Sequence, residues 1–121
     1  MVRSIFALAA VLSVASASLA ADMATPVVYV GSSTSVQCRI TNLTSATIPA
    51  QLELIEWGTS VLSNSGPITL PAGSTYLIHF DNPGTYVYCR FVNASKSKVR
   101  ANIMAGSNNS DGTPTFTAEA H

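Results

Sequence analysis

The stretch PGTYVYCRFV, residues 83–92, decides the fold of this chain. Pro83 and Gly84 are typical turn residues, because proline restricts one backbone dihedral and glycine adopts positive φ without steric cost. Apolar and polar residues then alternate with the two-residue period of a β-strand. One face carries Val87, Cys89 and Phe91, and the other carries Tyr86, Tyr88 and Arg90. Such a strand buries one face and leaves the other in water, which is typical of antiparallel sheets.

The same alternation recurs before and after this stretch, and no segment shows a sustained helical period. Short β-branched and aromatic runs are separated by turns that contain Gly, Pro, Asn and Ser. Strands are predicted over residues 26–30, 34–43, 47–57, 59–64, 68–70, 74–80, 85–92 and 98–104. We therefore predict an all-β fold, an antiparallel sandwich of seven or eight strands.

The two cysteines lie in the middle of predicted strands, each on the apolar face. In an oxidising compartment, Cys38 and Cys89 are expected to form a disulfide. A crosslink that closes a loop of about fifty residues contributes roughly 4 kcal/mol in the chain-entropy model. The alternative is a pair of free thiols with a redox or metal-binding role. Apolar surroundings disfavour that role because they raise the pKa of a thiol and restrict access to it.

The segment from Pro83 to Cys89, together with the mid-strand Cys38 about fifty residues earlier, resembles an immunoglobulin-type sandwich. This resemblance implies an immunoglobulin-like architecture and names no ligand. A second resemblance lies in the repeated Cys-Arg pairs, Cys38-Arg39 followed by Asn42 and Cys89-Arg90 followed by Asn93. These pairs are similar to sequences of small exported bacterial proteins of unknown function. Neither resemblance implies a catalytic activity.

Residues 1–20 are predicted to be a secretory signal peptide. Arg3 supplies a basic start, and an apolar run of about ten residues follows, about half the ~20 that a membrane span needs. Small residues at Ser18 and Ala20 place the cleavage before Ala21, and cleavage after Ala17 is a second option. The alternative is an N-terminal helix of the mature fold. The mature product is expected to be secreted or periplasmic.

The rest of the chain divides into a β-sandwich domain over residues 21–105 and a tail over residues 106–121. The tail, GSNNSDGTPTFTAEAH, is polar and rich in small residues, with Phe116 as its one aromatic residue. It has little apolar surface to offset the entropy of ordering, so we predict that it is disordered. The alternative is a short extra strand over residues 113–118 that pairs with a sheet edge, in this chain or in a neighbour.

Composition excludes several classes of function. The chain has a formal net charge of zero and 10% charged residues, so it lacks the basic surface that nucleic acid requires. It has no G-x-S-x-G motif, and its glycines do not form a phosphate-binding loop. His79 and Asp81 share a strand face, but with His121 they make only three ligands, whereas a closed zinc site usually has four. We predict no enzyme activity, no metal and no cofactor.

Binding residues are predicted on the outward faces of the two cysteine strands. Tyr and Arg are favoured at binding hot spots because they offer rigid contact area and cation–π contacts. Two exposed tyrosines are also able to stack on sugar rings. The candidate binding residues are Arg39, Tyr86, Tyr88 and Arg90. The alternative is a structural role, in which the arginine stems support the sheet across its strands.

These observations predict a non-catalytic exported domain that binds an unknown protein or glycan through a sheet face or edge. The alternative is a structural or assembly module of a cell-surface or extracellular complex, to which the tail adds a strand. Three N-x-S/T sequons, at Asn42, Asn93 and Asn108, matter only if the source glycosylates its exported proteins.

Overall fold

A computed structural model describes residues 22–58, 60–107 and 114–121 of the chain. The signal peptide predicted over residues 1–20 lies outside the described residues. The described residues contain ten strands and no helix. The strands are β1 Met23–Ala24, β2 Val28–Val30, β3 Thr34–Asn42, β4 Ile48–Glu56, β5 Val61–Asn64, β6 Ile68–Leu70, β7 Thr75–Asp81, β8 Thr85–Val92, β9 Val99–Ser107 and β10 Pro114–Glu119.

The strands form two antiparallel sheets. The six-stranded sheet has the order β1-β8-β4-β5, with β2 also paired to β8 and β6 also paired to β4. The four-stranded sheet has the order β10-β9-β3-β7. The predicted all-β antiparallel fold is confirmed. The count is ten rather than seven or eight, because the short β1 and the C-terminal β10 were not among the predicted strands.

The core lies between the two sheets and is filled by the apolar faces that alternation predicted. On β3 the side chains of Val36 and Ile40 are buried, and on β8 those of Val87 and Phe91 are buried. Gly84, the last residue before β8, has a φ of 59°, a left-handed conformation that favours glycine. Burial of alternate side chains therefore determines which way each strand faces.

A disulfide between Cys38 and Cys89 joins the two sheets through this core. Cys38 lies on β3 of the four-stranded sheet and Cys89 on β8 of the six-stranded sheet, and both are fully buried. The bond closes a sequence separation of 51 residues. The predicted pairing is confirmed, and free cysteines are absent from the described residues.

The position of β9 differs from that of the corresponding strand in an immunoglobulin domain. In the immunoglobulin arrangement, the strand after the second cysteine strand belongs to the same sheet as that strand. Here β9 pairs with β3 over its whole length, from Thr34↔Ser107 to Asn42↔Val99. The strand pairing therefore confirms a two-sheet architecture with a central disulfide, without confirming an immunoglobulin-like topology.

The C-terminal segment pairs with β9 and with the start of the described chain. The prediction of a disordered tail was wrong for Pro114–Glu119, which forms β10 beside β9, and Gly106 and Ser107 still belong to β9. Beyond β10, the amides of Ala24 and His121 each donate to the other's carbonyl oxygen at 3.0 Å. Backbone hydrogen bonds of this kind order a segment that has little apolar surface of its own. Residues 108–113 lie outside the described part of the chain.

A buried asparagine fixes the loop that follows β3. Asn42 has no exposed surface, and its amide nitrogen donates to the carbonyl oxygens of Ala46 at 2.7 Å and Leu70 at 2.9 Å. Its Oδ1 accepts hydrogen bonds from the amide and the hydroxyl of Thr44. The side chain of Asn42, in the first sequon, is therefore engaged in hydrogen bonds within the fold, whereas Asn93, in the second sequon, is exposed.

Candidate functional site

The structure separates the four predicted binding residues onto two faces. Tyr86, Tyr88 and Arg90 lie on β8 and face outward from the six-stranded sheet, since the residues between them are buried. Arg39 lies on β3 and faces outward from the four-stranded sheet. The two faces are on opposite sides of a core about 10 Å thick. The disulfide therefore places the cysteine strands across the sandwich from each other, and Arg39 is not part of a patch with the β8 residues.

Three exposed aromatic side chains form a row across the six-stranded sheet. Tyr86 on β8 is directly opposite Tyr29 on β2, and on its other side the amide of Trp57, just after β4, donates to the Tyr86 carbonyl oxygen at 2.9 Å. The ring centroids of Tyr29 and Tyr86 are 5.2 Å apart and those of Trp57 and Tyr86 are 6.2 Å apart. We call Tyr29, Tyr86 and Trp57 the aromatic row.

The rings of the aromatic row contact one another edge to face. The planes of Tyr29 and Tyr86 meet at 69°, and those of Trp57 and Tyr86 at 66°. Aromatic pairs favour this geometry because the positive edge of one ring meets the negative face of the other. The residues Tyr29, Tyr86 and Trp57 remain 60%, 52% and 63% exposed, respectively. The row is thus held in place by its own contacts while its surface stays open to solvent.

A second apolar row lies one step along the same face. Tyr88 on β8 is opposite Ile55 on β4, and Ile55 is opposite Val61 on β5. Tyr88 and Ile55 are half-buried, and Val61 is about half exposed. Because residues two apart on a strand point to the same side, this row adjoins the aromatic row. Together the two rows make one end of the outer face predominantly apolar.

Beyond the second apolar row, the next set of cross-strand neighbours on the same face is polar, and we call it the polar row. Arg90 on β8 is opposite Glu53 on β4, and its Nη2 lies 2.6 Å from Glu53 Oε1. The Arg90 Nε also donates to that oxygen at 2.7 Å, and Asn64 donates to the other carboxylate oxygen at 3.4 Å. Glu53 is buried although it is charged, which is acceptable because it is paired and hydrogen-bonded. Arg90, predicted to bind, is engaged within the sheet.

Arg39 has different neighbours on the outer face of the four-stranded sheet. It is opposite Leu77 on β7 and Asn102 on β9. Its Nη1 lies 2.9 Å from the sulfur of Met104. His79, on β7 of the same sheet, is exposed and opposite Gln37. The contact between Arg39 and Met104 connects the neighbouring strands β3 and β9.

Sequence reasoning missed two members of the aromatic row. Tyr29 belongs to a strand whose neighbours Val28 and Val30 point the other way, so alternation along β2 marks it as outward-facing. Trp57 follows the last residue of β4 and precedes Gly58, a position that predicts a turn rather than a buried core residue. Their adjacency to Tyr86 depends on which strands flank β8, which no local pattern encodes.

Metal ligands, membrane-spanning helices and pockets bear on other kinds of site. Among residues 22–58, 60–107 and 114–121, no three His, Cys, Asp or Glu side chains are grouped to hold a metal ion. In that same part of the chain, no helix is able to cross a membrane. Two pockets, of about 120 and 230 Å³, are smaller than the 300–1,000 Å³ of usual ligand pockets. A wider, open depression beside β6, of about 630 Å³, falls within that range and is lined by Pro49, Ile68 and Tyr76, among others.

Comparison with known proteins supports the fold. No protein-family model and no curated protein matches the chain. Among solved structures, the chain is similar to the one described as the crystal structure of Thermotoga maritima 1070. The two are 11% identical with a TM-score of 0.55, over 84% of this chain and 93% of that chain. At this level of identity, the likeness extends to the fold alone.

Proposed function

We propose that this chain is an exported, non-catalytic binding domain that acts through the outer face of its six-stranded sheet. The observation that carries the proposal is the aromatic row of Tyr29, Tyr86 and Trp57. These three adjacent aromatic residues are each more than half exposed, so burial in the core of the domain does not account for them. Contiguous exposed apolar groups on a soluble protein mark interaction sites more often than isolated ones do.

The chemistry of the row suits recognition. Tyr and Trp provide a large contact area while losing little conformational entropy, because each side chain has only two rotatable χ angles. The edge-to-face contacts of Tyr86 with both neighbours restrict these side chains further before a partner arrives. A preorganised surface loses less free energy on binding than a mobile one.

Export is the second part of the proposal. It rests on the signal-peptide features of residues 1–20 together with the buried Cys38–Cys89 disulfide. Disulfides persist in secreted and periplasmic proteins and are rare in the reducing cytosol. Mass spectrometry of the exported protein tests this part. We expect a mature N-terminus at Ala21 and two fewer hydrogen atoms than the fully reduced chain. A protein retained in the cytosol with residues 1–20 intact contradicts export.

The binding role is tested by comparing variants of the two faces. The labelled exported protein is incubated with intact cells and cell-envelope fractions of its source, and bound protein is measured after washing. The triple variant Tyr29→Ala, Trp57→Ala and Tyr86→Ala removes the aromatic row. The matched control is Tyr76→Ala, which removes an exposed tyrosine from β7 of the other sheet.

We expect the triple variant to lose at least tenfold in retention and the control to bind like the wild type. Circular dichroism and thermal unfolding of both variants check that each remains folded. Equal retention of the triple variant and the wild type contradicts the proposal. Equal loss in Tyr76→Ala also contradicts it, since that result places binding at the depression beside β6.

A further inference from the structure

The size of the aromatic row limits what it binds. At about 200 Å² per aromatic side chain, the exposed fractions of the three residues correspond to roughly 350 Å². A stable protein–protein interface buries about 800 Å² on each partner, around a central apolar core. The aromatic row reaches less than half of that area, and beyond the adjoining row of Tyr88, Ile55 and Val61 the face becomes polar at Arg90 and Glu53. Its dimensions fit a small amphipathic unit better than a protein surface.

The charges on the same face indicate whether the ligand is charged or neutral. Arg90 is the one lysine or arginine in the six strands of this sheet, and it is paired with Glu53 at 2.6 Å. An acidic polymer requires unpaired cations for recognition, because its carboxylate or sulfate groups otherwise lose their hydration without compensation. The pairing neutralises the charge of Glu53, and Glu56 is opposite the inward-facing Val87, so it does not lie on the outer face. The electrostatics of the face therefore favour an uncharged ligand.

The arrangement of apolar and polar rows matches the surface of a sugar chain. A pyranose ring has a face of C–H groups, which packs on an aromatic ring, and a rim of hydroxyls, which form hydrogen bonds. Along β8 the outward residues Tyr86, Tyr88 and Arg90 span about 14 Å from the aromatic row to the polar row. At the polar end, the side chains of Glu53, Asn64 and Gln51 are linked to one another by hydrogen bonds of 3.4 Å. An oligosaccharide lying along the strands meets stacking groups first and hydrogen-bonding groups next.

We propose that the ligand is a neutral polysaccharide, whose pyranose rings stack on Trp57 and Tyr86 while hydroxyls reach the polar row. This inference rests on the proposed binding role of the same face and names the partner class. The solvent-exposed surface of Trp57 and Tyr86 favours stacking, and the polar row of Arg90, Glu53 and Asn64 favours hydrogen bonds. Because no charge is matched, binding is independent of ionic strength.

The single tryptophan of the chain provides the measurement, because Trp57 is itself in the aromatic row. The exported protein is titrated with soluble neutral polysaccharides, namely mixed-linkage β-glucan, xylan and galactomannan, and with the acidic polygalacturonate and alginate. We expect at least one neutral polymer to shift the tryptophan emission to shorter wavelength and to saturate. That affinity is expected to change less than twofold between 50 and 500 mM salt, on the screening argument.

Variants then connect binding to the proposed contacts. By isothermal titration with the neutral polymer identified, Tyr86→Ala and Trp57→Ala are expected to weaken binding at least tenfold, on the scale of a lost hot-spot contact. Tyr76→Ala, on the other sheet, is expected to leave it unchanged. Arg90→Lys and Asn64→Ala are expected to weaken it less, because they affect only the polar row.

Two results overturn the inference, and they differ in what they say about the proposed function. If no neutral polymer binds while the triple aromatic variant still loses retention on envelope fractions, the face binds a different partner class. Salt-sensitive binding to the acidic polymers also overturns the inference and shows that the face binds a different partner class. If the triple variant loses neither polysaccharide binding nor envelope retention, both the inference and the proposed function fail.

Discussion

Arg90 and Glu53 form an ion pair across β8 and β4, with Arg90 Nη2 lying 2.6 Å from Glu53 Oε1. The partners differ in exposure, since the Arg90 side chain is 44% exposed and that of Glu53 is 9% exposed. The buried carboxylate therefore needs the arginine to compensate its charge, whereas the more exposed arginine is also solvated by water. Removing Arg90 leaves a charge with one weak hydrogen bond from Asn64.

The Arg90→Ala variant is expected to lose about 1–2 kcal/mol of unfolding free energy, because it leaves the Glu53 carboxylate unpaired. Glu53→Gln is expected to lose less, since it removes the buried charge. The double variant is expected to be more stable than the sum of the single effects predicts. Urea denaturation of the four proteins forms a double-mutant cycle that measures this coupling. Additivity of the two effects to within about 0.3 kcal/mol contradicts the pairing.

The Cys38→Ala, Cys89→Ala double variant is expected to lose about 4 kcal/mol, because the bond restricts the unfolded chain over a long loop. Both sulfurs are buried, so the variant also loses packing at the centre of the core. The measurement is urea denaturation, and reduction of the wild-type protein serves as the parallel condition. A midpoint that does not respond to either change contradicts a stabilising role for this disulfide.

The Asn42→Ala variant is expected to lose about 2–4 kcal/mol, because the carbonyl oxygens of Ala46 and Leu70 lose their donor inside the fold. Asn42→Asp is expected to be at least as harmful, since a carboxylate has no hydrogen to donate to those oxygens. Thermal unfolding measures both. The control is Asn93→Gly, at the exposed sequon, where the φ of 58° suits glycine, so stability is expected to change by less than about 0.5 kcal/mol. Equal effects at Asn42 and Asn93 are inconsistent with the hydrogen bonds described.

Removal of residues 114–121 is expected to lower the unfolding free energy by about 1–3 kcal/mol, because the backbone pairs between β10 and β9 are lost. The amides of β9 that face β10 are expected to exchange faster with solvent, whereas those that face β3 stay protected. Hydrogen exchange measured by NMR distinguishes the two sets. A truncated chain that matches the full chain in both measurements supports the disordered tail that the composition suggested.

Substitutions on the two faces of β8 are expected to differ sharply. Phe91→Ala, at a fully buried position, is expected to lose about 3–5 kcal/mol. Tyr86→Ala, at a position more than half exposed, is expected to lose about 1 kcal/mol through its edge-to-face contacts. Urea denaturation measures both. This contrast also ensures that a loss of binding in Tyr86→Ala does not arise from unfolding.

Alternation predicted most of the strand faces because burial acts on each strand separately. Val36, Val87 and Phe91 are all inward, as expected from the period of two. The strand over residues 85–92 was predicted with its observed bounds, since Pro83 and Gly84 mark its start. The disulfide was also predictable, because both cysteines occupy inward positions in the middle of their strands.

Pairing between distant strands was not predictable in the same way. β10 has few apolar residues and is ordered by hydrogen bonds to β9, a contact that its composition does not reveal. The separation of Arg39 from the other candidate binding residues was not predictable for a related reason, since the outward side of a strand says nothing about which sheet the strand joins. Tyr29 and Trp57 meet Tyr86 only because β2 and β4 both flank β8.

The order of residues by itself determined the strands, their inward and outward sides, and the two sulfurs that join them, since these depend on local period and on burial. Only the tertiary structure decided which strands are neighbours, and with them the aromatic row, the polar row and the place of the last strand. Backbone hydrogen bonds between strands are nearly the same for every sequence. The choice of neighbour is therefore made by the packing of the whole core.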